Sequence, residues 1–187
     1  MIWFRVLCLL SAAAIAGCSK PTAEEYFARA QKQAQAAATA ADTLRSAEAL
    51  QGAFQPAIEL FESVIREYPQ HPLAEASLFE IANIRNSNLH MPGEAVEGYR
   101  RYCREYPAGK QTALAMFLIG YLFNNELHNT DSAAAAYTRF LEKYPDSEMA
   151  ASARFELNTL GKSPEEAIPL PEEPPPKAKK HPARTAT

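Results

Sequence analysis

The scarce reactive side chains of this sequence are four histidines (His71, His90, His128 and His181) and three cysteines (Cys8, Cys18 and Cys103). A metal centre needs three or four such groups around one point. His90 and His128 stand 38 residues apart, in one column of a repeat described below, and equivalent turn residues do not converge on a single ion. No H-E-x-x-H, C-x-x-C or G-x-S-x-G pattern occurs, and no glycine-rich phosphate loop. Glu80 and Glu156 are placed by the helical period on outer faces, where carboxylates are solvated. Cys103 shares a column with Ile65 and Leu141, which predicts a buried and inert thiol. With no convergent nucleophile, base or metal set, the sequence predicts no enzyme, no cofactor and no small-molecule substrate. The formal charge of −3 supplies no basic field to recruit nucleic acid.

Cys18 offers chemistry of another kind. Met1–Arg5 is a short start with one positive charge, and Val6 to Ala16 is an apolar run. The run is too short for a membrane span, which needs about twenty residues, and has the length of a signal-peptide core. It closes on Ile15-Ala16-Gly17-Cys18, which resembles the bacterial lipobox: an aliphatic residue, two small residues that let a peptidase approach, and a cysteine whose thiol takes up diacylglycerol. The resemblance implies a signal at residues 1–17, lipidation of Cys18, and a membrane attachment through that lipid. Ser19 is not the aspartate that retains such lipoproteins in the inner membrane, which points to the periplasmic face of an outer membrane. The alternative is an ordinary secretory signal cut after Ala16 or Gly17, with an incidental Cys18. In the mature chain Cys103 would be the one remaining thiol besides Cys18, so no internal disulfide is expected.

The elements behind these residues follow from an internal repeat. Tyr-Pro occurs at Tyr68-Pro69, Tyr106-Pro107 and Tyr144-Pro145, each 38 residues after the last. Ala57, Ala95 and Ala133 keep the same register, as do Phe61, Tyr99 and Tyr137, and Phe79, Phe117 and Phe155. Within a unit, Ala57, Phe61, Val64, Ile65 and Tyr68 form one stripe with a 3.6-residue period. Proline after the tyrosine ends the helix, Asp146-Ser147 offers a cap for the next one, and the other turns are polar. The expected fold is all-α, a right-handed solenoid of antiparallel helical hairpins closed by a single C-terminal capping helix from about Ser147 to Leu160.

These columns resemble the tetratricopeptide family. Its second helix shows Ala-x3-Phe and ends in proline, matched by Ala57-x3-Phe61, Ala95-x3-Tyr99 and Ala133-x3-Tyr137. The Leu-Gly-x2-Tyr of its first helix is matched by Ile119-Gly120-x2-Phe123 and partly by Ile81-Ala82-x2-Arg85. The Tyr-Pro-Asp-Ser style of junction is similar to that of outer-membrane tetratricopeptide lipoproteins, BamD-like or like the periplasmic repeat protein associated with the Tol–Pal system. The resemblance implies a scaffold that binds envelope proteins in a groove lined by first helices, here Leu73–Leu89 and Thr112–Leu127. It makes Asn83, Asn86, Tyr121, Asn124 and Asn125 the candidate contacts, since an asparagine amide both donates and accepts hydrogen bonds. Solvation of a helix surface is the competing reading of those positions. The phenylalanine column likewise admits two readings, inter-helix packing or exposure in the groove, with packing the default.

The ends are expected to differ from the body. Thr22-x-x-Glu25 reads as a capping box, opening an alanine-rich capping helix through about Ala41. A further helical stretch, Thr43 to Gln51, precedes a helix starting at Pro56. Ser163-Pro164-Glu165-Glu166 reads as a helix start that Pro169 and Pro171 stop. The repeat domain is thus set at residues 18–168. The Pro-rich tail 169–187, with Lys177, Lys179, Lys180, His181 and Arg184, is expected to be disordered or polyproline-like and solvated, the alternative being contact of its basic end with anionic lipid, lipopolysaccharide or peptidoglycan. The function expected is a lipid-anchored envelope adaptor, in outer-membrane protein assembly or envelope maintenance. The alternative is a peptidoglycan- or glycan-binding organiser of the envelope.

Overall fold

The computed structural model describes residues 20–162 and residue 166. The signal segment, Cys18 and the tail from Pro169 lie outside them, as does the helix start at Ser163–Glu165. The described chain is helical, with no strand among the described residues, and it divides between Ser77 and Leu78 into two compact units.

In the first unit, α1 (Ala23–Ala40) packs on α2 (Ala47–Glu67). Thr22 and Glu25 form the expected reciprocal cap: each side chain accepts from the other's backbone N–H. Ala23, Ala30 and Ala37 are buried at seven-residue spacing, so α1 presents a stripe without bulk and α2 comes close. Phe27 meets Phe61 edge-on, with ring centroids 5.3 Å apart. The Tyr68 hydroxyl donates to the Pro21 carbonyl at 2.7 Å. Lys20 pairs with Glu67, so the ends of the hairpin are tied. The alanine-rich helix is therefore one arm of a hairpin whose other arm is α2, rather than a separate cap.

The expected break before Pro56 is absent, because α2 runs through it without interruption. Proline there removes the bond to the carbonyl of Gly52, and both residues lie on the exposed face, where water solvates the freed carbonyl. The inner face, carrying Phe54, Ala57, Ile58, Phe61 and Val64, stays buried.

Helix α3 (Pro72–Asn83) spans the division and continues into a π-helical turn, Ile84–Asn88. The second unit continues with α4 (Pro92–Glu105), α5 (Thr112–Asn125), α6 (Thr130–Lys143) and α7 (Ala150–Thr159), in which each helix from α4 on packs against the next. Its core is the aligned columns. Ala95, Tyr99 and Tyr102 are fully buried, as are Ala133, Tyr137 and Phe140. Helix α7 buries Ala153 against the Tyr137–Phe140 cluster, with Leu157 and Leu160 packed beside it. It starts at Ala150, three residues beyond the expected cap, because Ser147 instead accepts from the Met149 N–H at 3.3 Å, inside a preceding turn.

The Tyr-Pro junctions repeat in conformation as well as in sequence. Tyr68, Tyr106 and Tyr144 share φ near −130° and ψ near 60° (−136/53, −126/65, −133/56), and each donates its N–H to the residue four back. Each tyrosine carbonyl then accepts from the N–H three residues on: His71 at 3.0 Å, Gly109 at 2.9 Å, Ser147 at 3.2 Å. The carbonyls of His71, Gly109 and Ser147 in turn accept from the N–H groups of Ala74, Thr112 and Ala150. Each proline ends one helix, and the same two-step turn starts the next.

Candidate partner-binding surfaces of the second unit

The five candidate contact residues fall on α3, its π-helical extension and α5, and they are not equally free. Asn83 accepts a hydrogen bond from the Tyr99 hydroxyl at 2.7 Å. Burial pushes that phenol up to about 12, opposed by the Asn86 side chain against the same hydroxyl and reinforced by the Glu80 carboxylate. Asn83 and Asn86 are thus engaged in holding a core tyrosine. Asn124 donates to the Glu156 carboxylate of α7 at 2.9 Å, so it ties the last helix to α5. Asn125 donates back to the Tyr121 carbonyl at 3.0 Å, which leaves its amide oxygen to solvent. Tyr121 is 40% exposed. Of the five, Tyr121 and Asn125 present an available surface.

Tyr137 occupies in α6 the place that Tyr99 has in α4, but its buried hydroxyl finds no partner among the described residues. The position equivalent to Asn83 is Tyr121, which turns outward. Burial raises the Tyr137 phenol above its ordinary value, and the nearby Glu156 and Tyr121 add to the effect.

The phenylalanine column packs, as the default reading has it, until the chain runs out of neighbours. Phe79 is buried edge-on to Tyr102 with centroids 5.3 Å apart, and Phe117 contacts Tyr137 and Phe140. Phe155, on α7, is 56% exposed.

His90 and His128 are the residues at which the two hairpin turns reverse. Both have positive φ, 51° and 49°, a region that histidine enters more readily than most side chains. The ring closures match: Leu89 to Ile84 and Met91 to Arg85 around His90, Leu127 to Leu122 and Asn129 to Phe123 around His128. The column belongs to helix termination. Among the described residues no three His, Cys, Asp or Glu side chains gather as a cation site.

A cleft of about 500 Å³ opens between α4, α5 and α6. Its floor is apolar: Met116, Ile119 and Phe123 from α5, with Cys103 from α4 and the small residues Ala135 and Ala136 from α6. Its remaining lining residues are Ser132 and four cations, Arg100, Arg104, Arg139 and Lys143, with no carboxylate. The cations sit exposed around the floor. Arg100 lies over the Phe123 ring, 5.2 Å from its centroid, and pairs with Glu97 at 2.8 Å. Lys143 donates to the Pro107 carbonyl at 3.0 Å. Arg104 and Arg139 make no hydrogen bond or ion pair among the described residues. On α5 the floor residues 116, 119 and 123 lie nearly opposite 121, 124 and 125 at about 100° per residue, so the cleft and the Tyr121 surface are separate faces.

Cys103 is half-buried at the floor of this cleft, packed against the Tyr137–Phe140 core cluster rather than within it. Its column mates Ile65 and Leu141 are also only half-buried, since Val64, Tyr102 and Phe140, one residue earlier, take the inner position. Burial still pushes the thiol up, against the pull of Lys143 and Arg104, and keeps it protonated at neutral pH. Sequence reasoning missed the cleft because its signal is relational: small residues on α6 face cations on α4.

The tetratricopeptide repeat family matches residues 23–71 and 114–147. The first match covers α1 and α2 and the turn into α3, and the second covers nearly all of α5 and α6. The unmatched hairpin between them carries the π-helical turn, and has Arg85 where α5 has Phe123. A search of curated proteins finds no match. Two hairpins of this chain are thus similar to tetratricopeptide repeats.

Proposed function

We propose that this protein is a tetratricopeptide-repeat adaptor of the bacterial envelope, lipid-anchored, which holds a partner protein on its helical hairpins from the periplasmic face of the outer membrane. The family match to two hairpins carries the adaptor reading. The anchor rests on Ile15-Ala16-Gly17-Cys18 behind an apolar run, and no helix among the described residues is long and apolar enough to cross a membrane. Tyr121 and Asn125 are the contact residues we favour, because an exposed ring and an unspent amide oxygen suit an extended peptide backbone. Outer-membrane protein assembly and envelope maintenance are the processes in which such an adaptor would serve.

Capture of the full chain from membranes in mild detergent should bring down the same envelope protein across conditions, and Tyr121→Ala with Asn125→Ala should lose it with the helical circular-dichroism signal unchanged. No reproducible partner in any detergent would sink the adaptor. Radiolabelled palmitate should enter the wild type and not Cys18→Ala; equal labelling of the two would remove the anchor from the proposal.

A further inference from the structure

The cleft between α4, α5 and α6 has a chemistry that its neighbours in the repeat do not share. One unit earlier, the positions of Arg100, Arg104, Arg139 and Lys143 are held by Glu62, Arg66, Arg101 and Glu105. Two of the four columns therefore reverse sign, and the positive ring is local to this cleft. Ala135 likewise stands where Glu97 stands in α4, so a carboxylate that would neutralise the ring is replaced by a methyl group that widens it.

Four like charges around one apolar floor repel each other. Glu97 offsets one of them at the rim, while Arg104 and Arg139 are left uncompensated. We propose that this cleft is a second docking site, for an acidic segment of a partner protein that places an apolar side chain on Met116, Ile119 and Phe123 and flanking carboxylates on Arg104 and Arg139. Arginine forks suit carboxylates because two parallel N–H donors meet two oxygens, and a volume of about 500 Å³ admits one or two large side chains. The proposal rests on the adaptor reading only in taking a protein segment as the occupant, and its surface is distinct from the Tyr121 face.

The test uses the purified full chain in nonionic detergent and a fluorescent peptide of sequence Glu-Glu-Leu-Phe-Asp-Glu, followed by anisotropy. The peptide should bind, and Arg104→Glu with Arg139→Glu should weaken it by at least about tenfold, the scale of losing charged hydrogen bonds. Arg66→Glu, which reverses a charge outside the cleft, should leave binding unchanged. A peptide with glutamine and asparagine in place of the acids should bind weakly, as should the acidic peptide in high salt. Tyr121→Ala with Asn125→Ala should retain peptide binding, so a failure at that face is told apart from a failure here. Equal binding by wild type and the arginine pair would overturn the proposal. So would absence of peptide binding, or binding of phosphatidylglycerol vesicles through the arginines without the peptide.

Discussion

At the scale of residues, Tyr99 and Tyr137 make a controlled comparison. Both rings are fully buried in the same column, but only Tyr99 has its hydroxyl paired, to Asn83. Tyr99→Phe removes the donor and leaves the Asn83 oxygen unsatisfied, so it should destabilise by about 1 kcal/mol. Tyr137→Phe removes a buried hydroxyl that no described residue satisfies, and should be neutral or stabilising by up to about 1–3 kcal/mol. Urea unfolding of the two variants checks this, and a loss for Tyr99→Phe with no loss for Tyr137→Phe is the expected result. Equal losses would mean that Tyr137 does have a partner. The position that decides it is Tyr121, where the preceding unit has asparagine. Had Tyr121 served packing, it would be inward, and its 40% exposure marks it as surface.

At the scale of elements, helix approach is set by two glycines. A Cβ on Gly98 would stand 2.9 Å from the Cβ of Ala82, and one on Gly120 would stand 2.7 Å from the Tyr137 ring. Neither contact can exist without a shift of α4 on its neighbour or of α5 on α6. Each glycine-to-alanine change should therefore cost about 1–3 kcal/mol despite the better helix propensity of alanine, as thermal unfolding would show. Gly52, with open space around it, is the control and should gain slightly as alanine. The glycine of Ile119-Gly120-x2-Phe123 was legible in the sequence as a family position, and the fold supplies its reason. The repeat register was legible too, because alanine, aromatic and Tyr-Pro columns recur with one period. Three features were not. Helix α2 continues through Pro56 because the lost bond faces water, which depends on which side of the helix is buried. The hydrogen bonds that engage Asn83 and Asn124 come from residues 16 and 32 positions away, beyond any local pattern. The cationic cleft is assembled from three helices whose charges look scattered along the chain.

At the scale of the whole molecule, the titrating groups divide by burial, and their division sets an asymmetric pH response. Of the shifted acids, Glu24 and Glu48 are exposed and Glu67 is half-buried; their pKa values are lowered, Glu24 and Glu48 by hydrogen bonds at their helix starts and Glu67 by Lys20. A depressed carboxylate stabilises the fold above its unfolded value and loses that contribution as pH falls, and solvent screening keeps these contributions small. On the alkaline side, exposed Lys20 is raised by its hydrogen bond to Glu67, and the other shifted groups are core or cleft residues. Tyr99 is raised from 10.0 to about 12, and Tyr137 and Cys103 are raised as well, all mainly by burial. For each, the folded state holds its proton more tightly than the unfolded chain, so its contribution is complete below the unfolded pKa and lost as pH rises through the folded one. Stability should therefore change little on mild acidification and fall steeply once pH passes about 10, the unfolded tyrosine value. Denaturant midpoints measured across pH would show this, with the share of the ultraviolet tyrosinate absorbance that Tyr99→Phe and Tyr137→Phe remove appearing together with unfolding rather than before it. Tyr99→Phe should reduce the alkaline slope while leaving the acid limb unchanged. An unaltered alkaline slope in that variant would mean that Tyr99 ionises without opening the core.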